Sequence, residues 1–376
     1  MTADRPVERG GGVAAAESKI LPRVLCLAMA MLSLVVGVAS GLARLGTVVP
    51  DLAAGLAGVH AALMICAFFG TVIGLERAVA LAHPAAYAGP LASGLGGLAL
   101  LLHLPLAWVQ ALFILASLVL VGGAVAVTRR QLALFTLTLA VGAACWLAGN
   151  VAWAASGLLQ AAIPWWLAFL VVTIAGERLE LTRFLPARRE APPLFRIAVG
   201  TILAGAAATI WFSSAGLVLF AAGLCALSMW LLRYDIARHN AGQRGLVRYI
   251  ALCLLSGYAW LATGAAIGLL GGFESAHPLR DAALHAITLG FVFAMVFGHA
   301  PIIFPAIARV RMPYHPVFYL PLALLHVSLA ARIAGTALGD AAFLLRLGGV
   351  ANAVALVAFI VTMLASVLRG RQSARR

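Results

Sequence analysis

Two histidines stand in a stretch apolar enough to cross a bilayer. Leu284 to Pro305 reads L-H-A-I-T-L-G-F-V-F-A-M-V-F-G-H-A-P-I-I-F-P, with His285 near one end and His299 near the other. An ionisable side chain is expensive in hydrocarbon, so a histidine there marks a candidate site. The two are 14 residues apart, which on an α-helix is about 21 Å of rise and leaves them within about 40° of one face. One small ligand does not bridge that distance. The spacing predicts two levels of polar chemistry, one near each membrane surface.

A second apolar stretch carries a matching histidine. It reads V-H-A-A-L-M-I-C-A-F-F-G-T-V-I-G-L-E-R, with His60 near its start. If both stretches enter the membrane from the same side, His60 and His285 lie at one depth. Two neutral imidazoles facing each other from neighbouring helices can ligate one haem iron axially. The plainer reading is a pair of interfacial histidines bonded to backbone. A haem would also need cations for its propionates, and arginine's fork suits carboxylates. Arg332 and Arg346 are the candidates, alongside Arg44 and Arg280, unless they only snorkel to the surface.

The other level holds Glu76, Arg77, Glu177, Arg178, Glu180 and His299. Neighbouring Glu and Arg point to different faces of a helix, so each expects its partner on another helix. This is either a belt of ion pairs locking the bundle or a site of proton intake or a second metal. Pro301 and Pro305, just beyond His299, are expected to bend or end their helix and to free carbonyls there. His326, within L-A-L-L-H-V-S-L-A, is a third deep histidine. It is a ligand candidate for a high-spin haem or copper, or a hydrogen-bonding partner of a neighbouring helix.

These residues need helices to hold them, and the composition supplies little else. The 376 residues are 64% hydrophobic and 10% charged, with mean hydropathy +1.05. Apolar runs of about 20 residues between short polar turns mean membrane helices in a lipid bilayer. About twelve spans can be placed, at 22–43, 55–81, 85–103, 106–128, 132–155, 159–184, 195–213, 215–235, 247–271, 282–307, 315–335 and 343–368. Residues 1–19 read as a disordered cytosolic tail, 20–370 as a single transmembrane domain and 371–376 as a second tail. The five cysteines lie inside apolar runs without C-x-x-C spacing and read as small core residues.

The net charge of +14 is topology signal and not a nucleic-acid footprint. With the N-terminus inside, 22 of the 26 basic residues fall on the inner side, and only Arg44, Arg280, Arg332 and Arg346 fall outside. The positive-inside rule then predicts an inner-membrane protein with both termini cytoplasmic. Short echoes also suggest a repeat of four helices: G-L-E-R at Gly74 to Arg77 and A-G-E-R at Ala175 to Arg178. Twelve helices as three groups of four would make the second, sixth and tenth equivalent.

Twelve helices with histidines early in the second and in the tenth resemble the haem–copper oxidase catalytic subunit. A nearer resemblance is to the NnrS family of membrane proteins, implicated in nitric oxide tolerance and holding haem and copper. H-A-I-T-L-G at His285 to Gly290 is similar to that family's H-A-L-T-x-G, and H-A-A-L-M at His60 to Met64 to part of its H-x-H-E-M-x-x-G-F. The first histidine and the glutamate of the latter motif have no counterpart here. The resemblance implies b-type haem, copper, small-gas handling and an electron-transfer partner. Oxidases carry copper-ligand histidines in helices 6 and 7, and this chain has none there, so oxygen reduction is not expected. The rival expectation is a proton-coupled transporter of a small solute, with His299, Glu76 and Glu177 carrying the proton.

Overall fold

The computed structural model describes residues 20–186, 188–338 and 342–373. The expected tail at 1–19 and the last residues, 374–376, lie outside the described residues. Among those described the chain is all helical, and eleven helices are long and apolar enough to cross a membrane. The protein is a multi-pass α-helical membrane protein.

The helices are α1 (Ile20–Arg44), α2 (Ala62–Leu81), α3 (Ala88–Leu101), α4 (Leu106–Arg130), α5 (Leu134–Ser156) and α6 (Leu159–Leu181), then α7 (Ala191–Ala208), α8 (Ser213–Tyr234), α9 (Gly245–Gly272), α10 (Arg280–Ala308), α11 (Tyr319–Ala337) and α12 (Ala342–Ser373). The third of the expected twelve spans is present but short. It is 14 residues long, behind a 3-10 turn at Pro84–Tyr87, shorter than the other eleven, yet it still runs from the level of Arg23, bonded to Tyr87, to that of Gly55, beside His103. Its sequence, A-G-P-L-A-S-G-L-G-G-L-A-L-L, explains this. Four glycines and a proline make a poor long helix but a thin one, and most of it is buried between its neighbours. At the other end of the chain, α12 runs to Ser373, past the boundary at 371 that the polar sequence suggests.

Burial sorts the helices into a centre and a rim. The apolar windows of α2 and α6 are each 67% buried and that of α10 is 61%, against 22% for α4 and 33% for α12. The second, sixth and tenth helices are therefore the most buried of the bundle. In lipid, apolar surface gains nothing by leaving its surroundings, so close packing has to come from small residues and buried polar bonds. Both are present. A side chain at Gly205 of α7 would lie 2.3 Å from the backbone nitrogen of Phe220 on α8. Asn150 of α5 accepts from Trp166 Nε1 on α6 at 3.0 Å and donates to Phe113 O on α4 at 2.9 Å. Cys66 of α2 also donates to Asn150, at 3.3 Å, so this cysteine is a bonded core residue.

Two central helices are not α-helical throughout. Ala62–Gly70 of α2 and Ala286–Phe293 of α10 are wound as π-helix. Each begins one or two residues after a histidine of the candidate pair. Of the expected bend or end at Pro301 and Pro305, the end does not occur: α10 continues as a helix through both to Ala308. Neighbouring helices tolerate proline in this way by supporting the freed backbone groups.

Candidate functional site

His60 and His285 come together. Their ring centroids are 6.4 Å apart and their planes differ by 27°. Both line one cavity of about 120 Å³ between α1, α2, α6, α10 and α12. Its wall is apolar and includes Gly41, Met64, Phe69, Phe293, Gly349 and Leu356.

Each ring is oriented by a bond on its far nitrogen. His60 Nδ1 meets Gly37 O at 2.7 Å, and His285 Nδ1 meets Asp281 O at 2.9 Å. A carbonyl only accepts, so each Nδ1 carries the proton and donates it. The lone pair of both rings is then on Nε2, and neither Nε2 has a hydrogen bond within the described residues. This is the state in which imidazole binds a metal, with the other nitrogen donating to a carbonyl or carboxylate. His285 has both supports, since Asp281 Oδ1 lies 3.2 Å from the same Nδ1.

Helix α1 gives His60 its room. A Cβ on Gly41 would stand 2.7 Å from His60 Cε1, and one on Gly37 would stand 2.7 Å from Met64 Sδ. Glycines four apart thus let the ring and the thioether lie directly on the α1 backbone.

Arg332 has a carboxylate partner within the protein. Its Nε and Nη2 hold Asp281 Oδ2 and Oδ1 at 2.7 and 2.8 Å, a bidentate pair. Its side chain is buried, and it fixes the carboxylate that supports His285. It also lines the cavity that holds the histidine pair. Arg346 is exposed and lies beside the Gly46 turn, and Arg44 donates to Ala57 O at 3.4 Å.

The remaining candidates are dispersed. His326 accepts from Trp260 Nε1 at 2.9 Å through Nδ1. That bond places its proton on Nε2, leaving no lone pair for a metal. His299 lines a second cavity of about 250 Å³, with Glu76 and Glu177. Phe69, Phe293 and Leu356 line both cavities and form the septum between them. Phe68, Phe69 and Phe293 are packed ring on ring at centroid distances of 4.8, 5.2 and 6.0 Å.

Of the expected ion belt, one inter-helix pair is present, Arg77 of α2 with Glu177 of α6. Arg77 also lines a third cavity, about 320 Å³ among α2 to α6, so this pair stands between that cavity and the central one. Glu76 makes no hydrogen bond or ion pair among the described residues. Arg178 is buried with its Nε unpartnered. Asp235, at the end of α8, is the nearby anion. Its burial pushes the carboxyl above the usual aspartate value, and the attraction of Arg178 only partly offsets this. Among the described residues no three metal-binding side chains cluster.

A family model described as a domain of unknown function, DUF8744, matches residues 23–368. The chain belongs to the DUF8744 family. No curated protein matches it. The match covers every helix of this DUF8744 protein, so both cavities lie inside the region that the family shares.

Sequence reasoning missed Asp281 and the two glycines of α1. The signal for Asp281 was there: Asp281 and His285 are four apart, one helical turn. Gly37 and Gly41 carry the same four-residue spacing.

Proposed function

We propose that this DUF8744 protein binds a b-type haem between α1, α2, α10 and α12, with His60 and His285 as the axial ligands. The observation that carries the reading is the pair itself. His60 and His285 would hold the iron: their rings meet at one level with centroids 6.4 Å apart, and each keeps its Nδ1 proton on a backbone carbonyl. Both rings carry their lone pair on Nε2, and the cavity wall around them is largely apolar, with Thr288, Arg332 and Asn352 as its other polar residues. Arg332, which lines the cavity while paired with Asp281, and Arg346 are the cations offered to propionates, alongside Arg44.

Haem held by both imidazoles would supply one-electron chemistry. The chain's own part is to hold both imidazoles at one level, keep their Nδ1 protons in place and exclude water with an apolar wall. This supports a role in handling a small gas such as nitric oxide, or in passing electrons to a partner, as the resemblance to the NnrS family implies. Copper is the second metal that resemblance implies. We place the protein in the bacterial inner membrane with both termini cytoplasmic, from the arginine distribution. An active periplasmic phosphatase fused to the C-terminus would overturn that orientation.

The test of haem binding is the pyridine haemochrome content and the reduced-minus-oxidised spectrum of purified protein. Wild type should show a low-spin spectrum that His60→Ala and His285→Ala each abolish, while His299→Ala keeps it. A wild-type protein without haem would overturn the proposal. It would favour the second reading, a proton-coupled transporter, which the stacked cavities support: Glu76, Glu177 and His299 face a chamber separated from the histidine pair only by the Phe69–Phe293 septum.

A further inference from the structure

The central chamber has its own chemistry. Its wall is almost wholly aromatic and aliphatic, with Phe68, Phe297, Phe304 and Phe359 prominent. Apolar cavities of this size stay dry and take up apolar molecules. Polar side chains break the pattern at four places, Glu76, Thr173, Glu177 and His299, and Glu177 is already paired with Arg77. His299 donates its Nδ1 proton to Met295 O at 2.7 Å. Its Nε2 therefore presents a lone pair, and that atom is buried with no partner. Glu76 presents a carboxyl on the opposite helix, and Arg77 beside it is turned to Glu177. A buried acceptor left unmet costs about 1–3 kcal/mol. His299 Nε2 is such an acceptor, and the Glu76 carboxyl that lines the same chamber makes no hydrogen bond or ion pair among the described residues.

The complement of such a site is a flat apolar body with two separate hydroxyl donors. We propose that the chamber binds a lipid-soluble hydroquinone. One ring hydroxyl donates to His299 Nε2 and the other to the Glu76 carboxyl. The ring lies among the phenylalanines, which favour offset or edge contacts with another aromatic ring. The tail leaves past Leu27, Ile303 and Ile360, which are half-buried apolar residues on α1, α10 and α12. Binding at this site stands independently of the haem, because none of its polar contacts involves His60 or His285.

The experiment is equilibrium binding of a decyl-substituted benzohydroquinone, kept reduced, to purified protein in nanodiscs. The dimethyl ether of the same ring serves as the donor-free control. One saturable site per chain is expected, with the ether bound at least tenfold more weakly. His299→Leu and Glu76→Leu should each weaken hydroquinone binding about tenfold and bring the two probes closer in affinity. The comparison of the two probes on wild type needs no variant, so a misfolded variant does not spare the proposal. Equal affinity for hydroquinone and ether would overturn it. So would tighter binding of decylammonium, which would make the chamber an amine site. Protein that carries no haem yet binds the hydroquinone removes the haem reading and keeps this one; haem-loaded protein that does not bind it does the reverse.

Discussion

Removing the Asp281 carboxylate should cost more stability than removing the guanidinium that grips it. The Arg332 side chain is 8% exposed and that of Asp281 is 30% exposed. Asp281→Ala strands a buried cation, a loss of about 3–5 kcal/mol. Arg332→Ala strands a carboxylate that water partly reaches and that keeps the His285 Nδ1–H, so the loss is about 1–3 kcal/mol. At about 2–4 °C per kcal/mol for a chain of this order, the melting points should fall by about 6–20 °C and about 2–12 °C. The double variant strands neither charge. Its cost should fall short of the sum by about 2 kcal/mol, as expected for partners in contact. The assay is a double-mutant cycle of thermal unfolding in one detergent. Additivity within about 0.5 kcal/mol, or a larger loss for Arg332→Ala, would refute the pairing. A second readout follows from the histidine. Loss of a ligand's outer partner typically lowers metal affinity about 10–100-fold, so Asp281→Ala should also shed haem.

Gly41→Ala puts a methyl group 2.7 Å from the His60 ring; it should displace that ring and lower haem content while leaving helix content by circular dichroism unchanged. Glu177→Gln should lower the melting temperature in detergent more than Glu180→Gln, because Glu177 pairs with Arg77 across helices whereas Glu180 meets only the exposed Arg183 at 3.7 Å; equal melting points would contradict this. Asp235 titrates above its usual value of 3.8, so its ionisation is resisted in the folded state. Its contribution is full below that value and is lost as pH rises through the elevated one, so wild type should lose stability relative to Asp235→Asn across that rise.

The helices were legible because hydrocarbon leaves the backbone so few options. Hydropathy alone places all twelve, and only makes α3 a few residues too long, because its glycines look apolar but do not sustain a long helix. The meeting of His60 with His285 also followed from the sequence, since both lie at the start of helices that enter from one side. The partners of the arginines did not follow. Arg332 could face a ligand or a carboxylate, and only the packing of α11 against the first turn of α10 selects Asp281. His326 likewise looked like the other histidines until Trp260 fixed its tautomer. Hydropathy carries no information on the π-helical stretches, because the same apolar residues satisfy either winding.

Those stretches make length a functional variable in this family. A π turn closes its hydrogen bond over one more residue than an α turn, so each behaves as an α-helix with a residue inserted. Deleting any one residue within Ala62–Gly70 would let the helix relax to its commoner form, with hydropathy unaltered. Everything beyond would then move by about 100° and about 1.5 Å. Glu76 would swing off the central chamber and Arg77 off Glu177, while His60 stayed where it is. The equivalent deletion in Ala286–Phe293 would uncouple His299 from His285 in the same manner. A lineage that sheds one residue from either window keeps a membrane protein of the same shape and loses the phase between its two levels. Within DUF8744, single-residue gaps at these two places would therefore separate chains that retain both sites from chains that retain one.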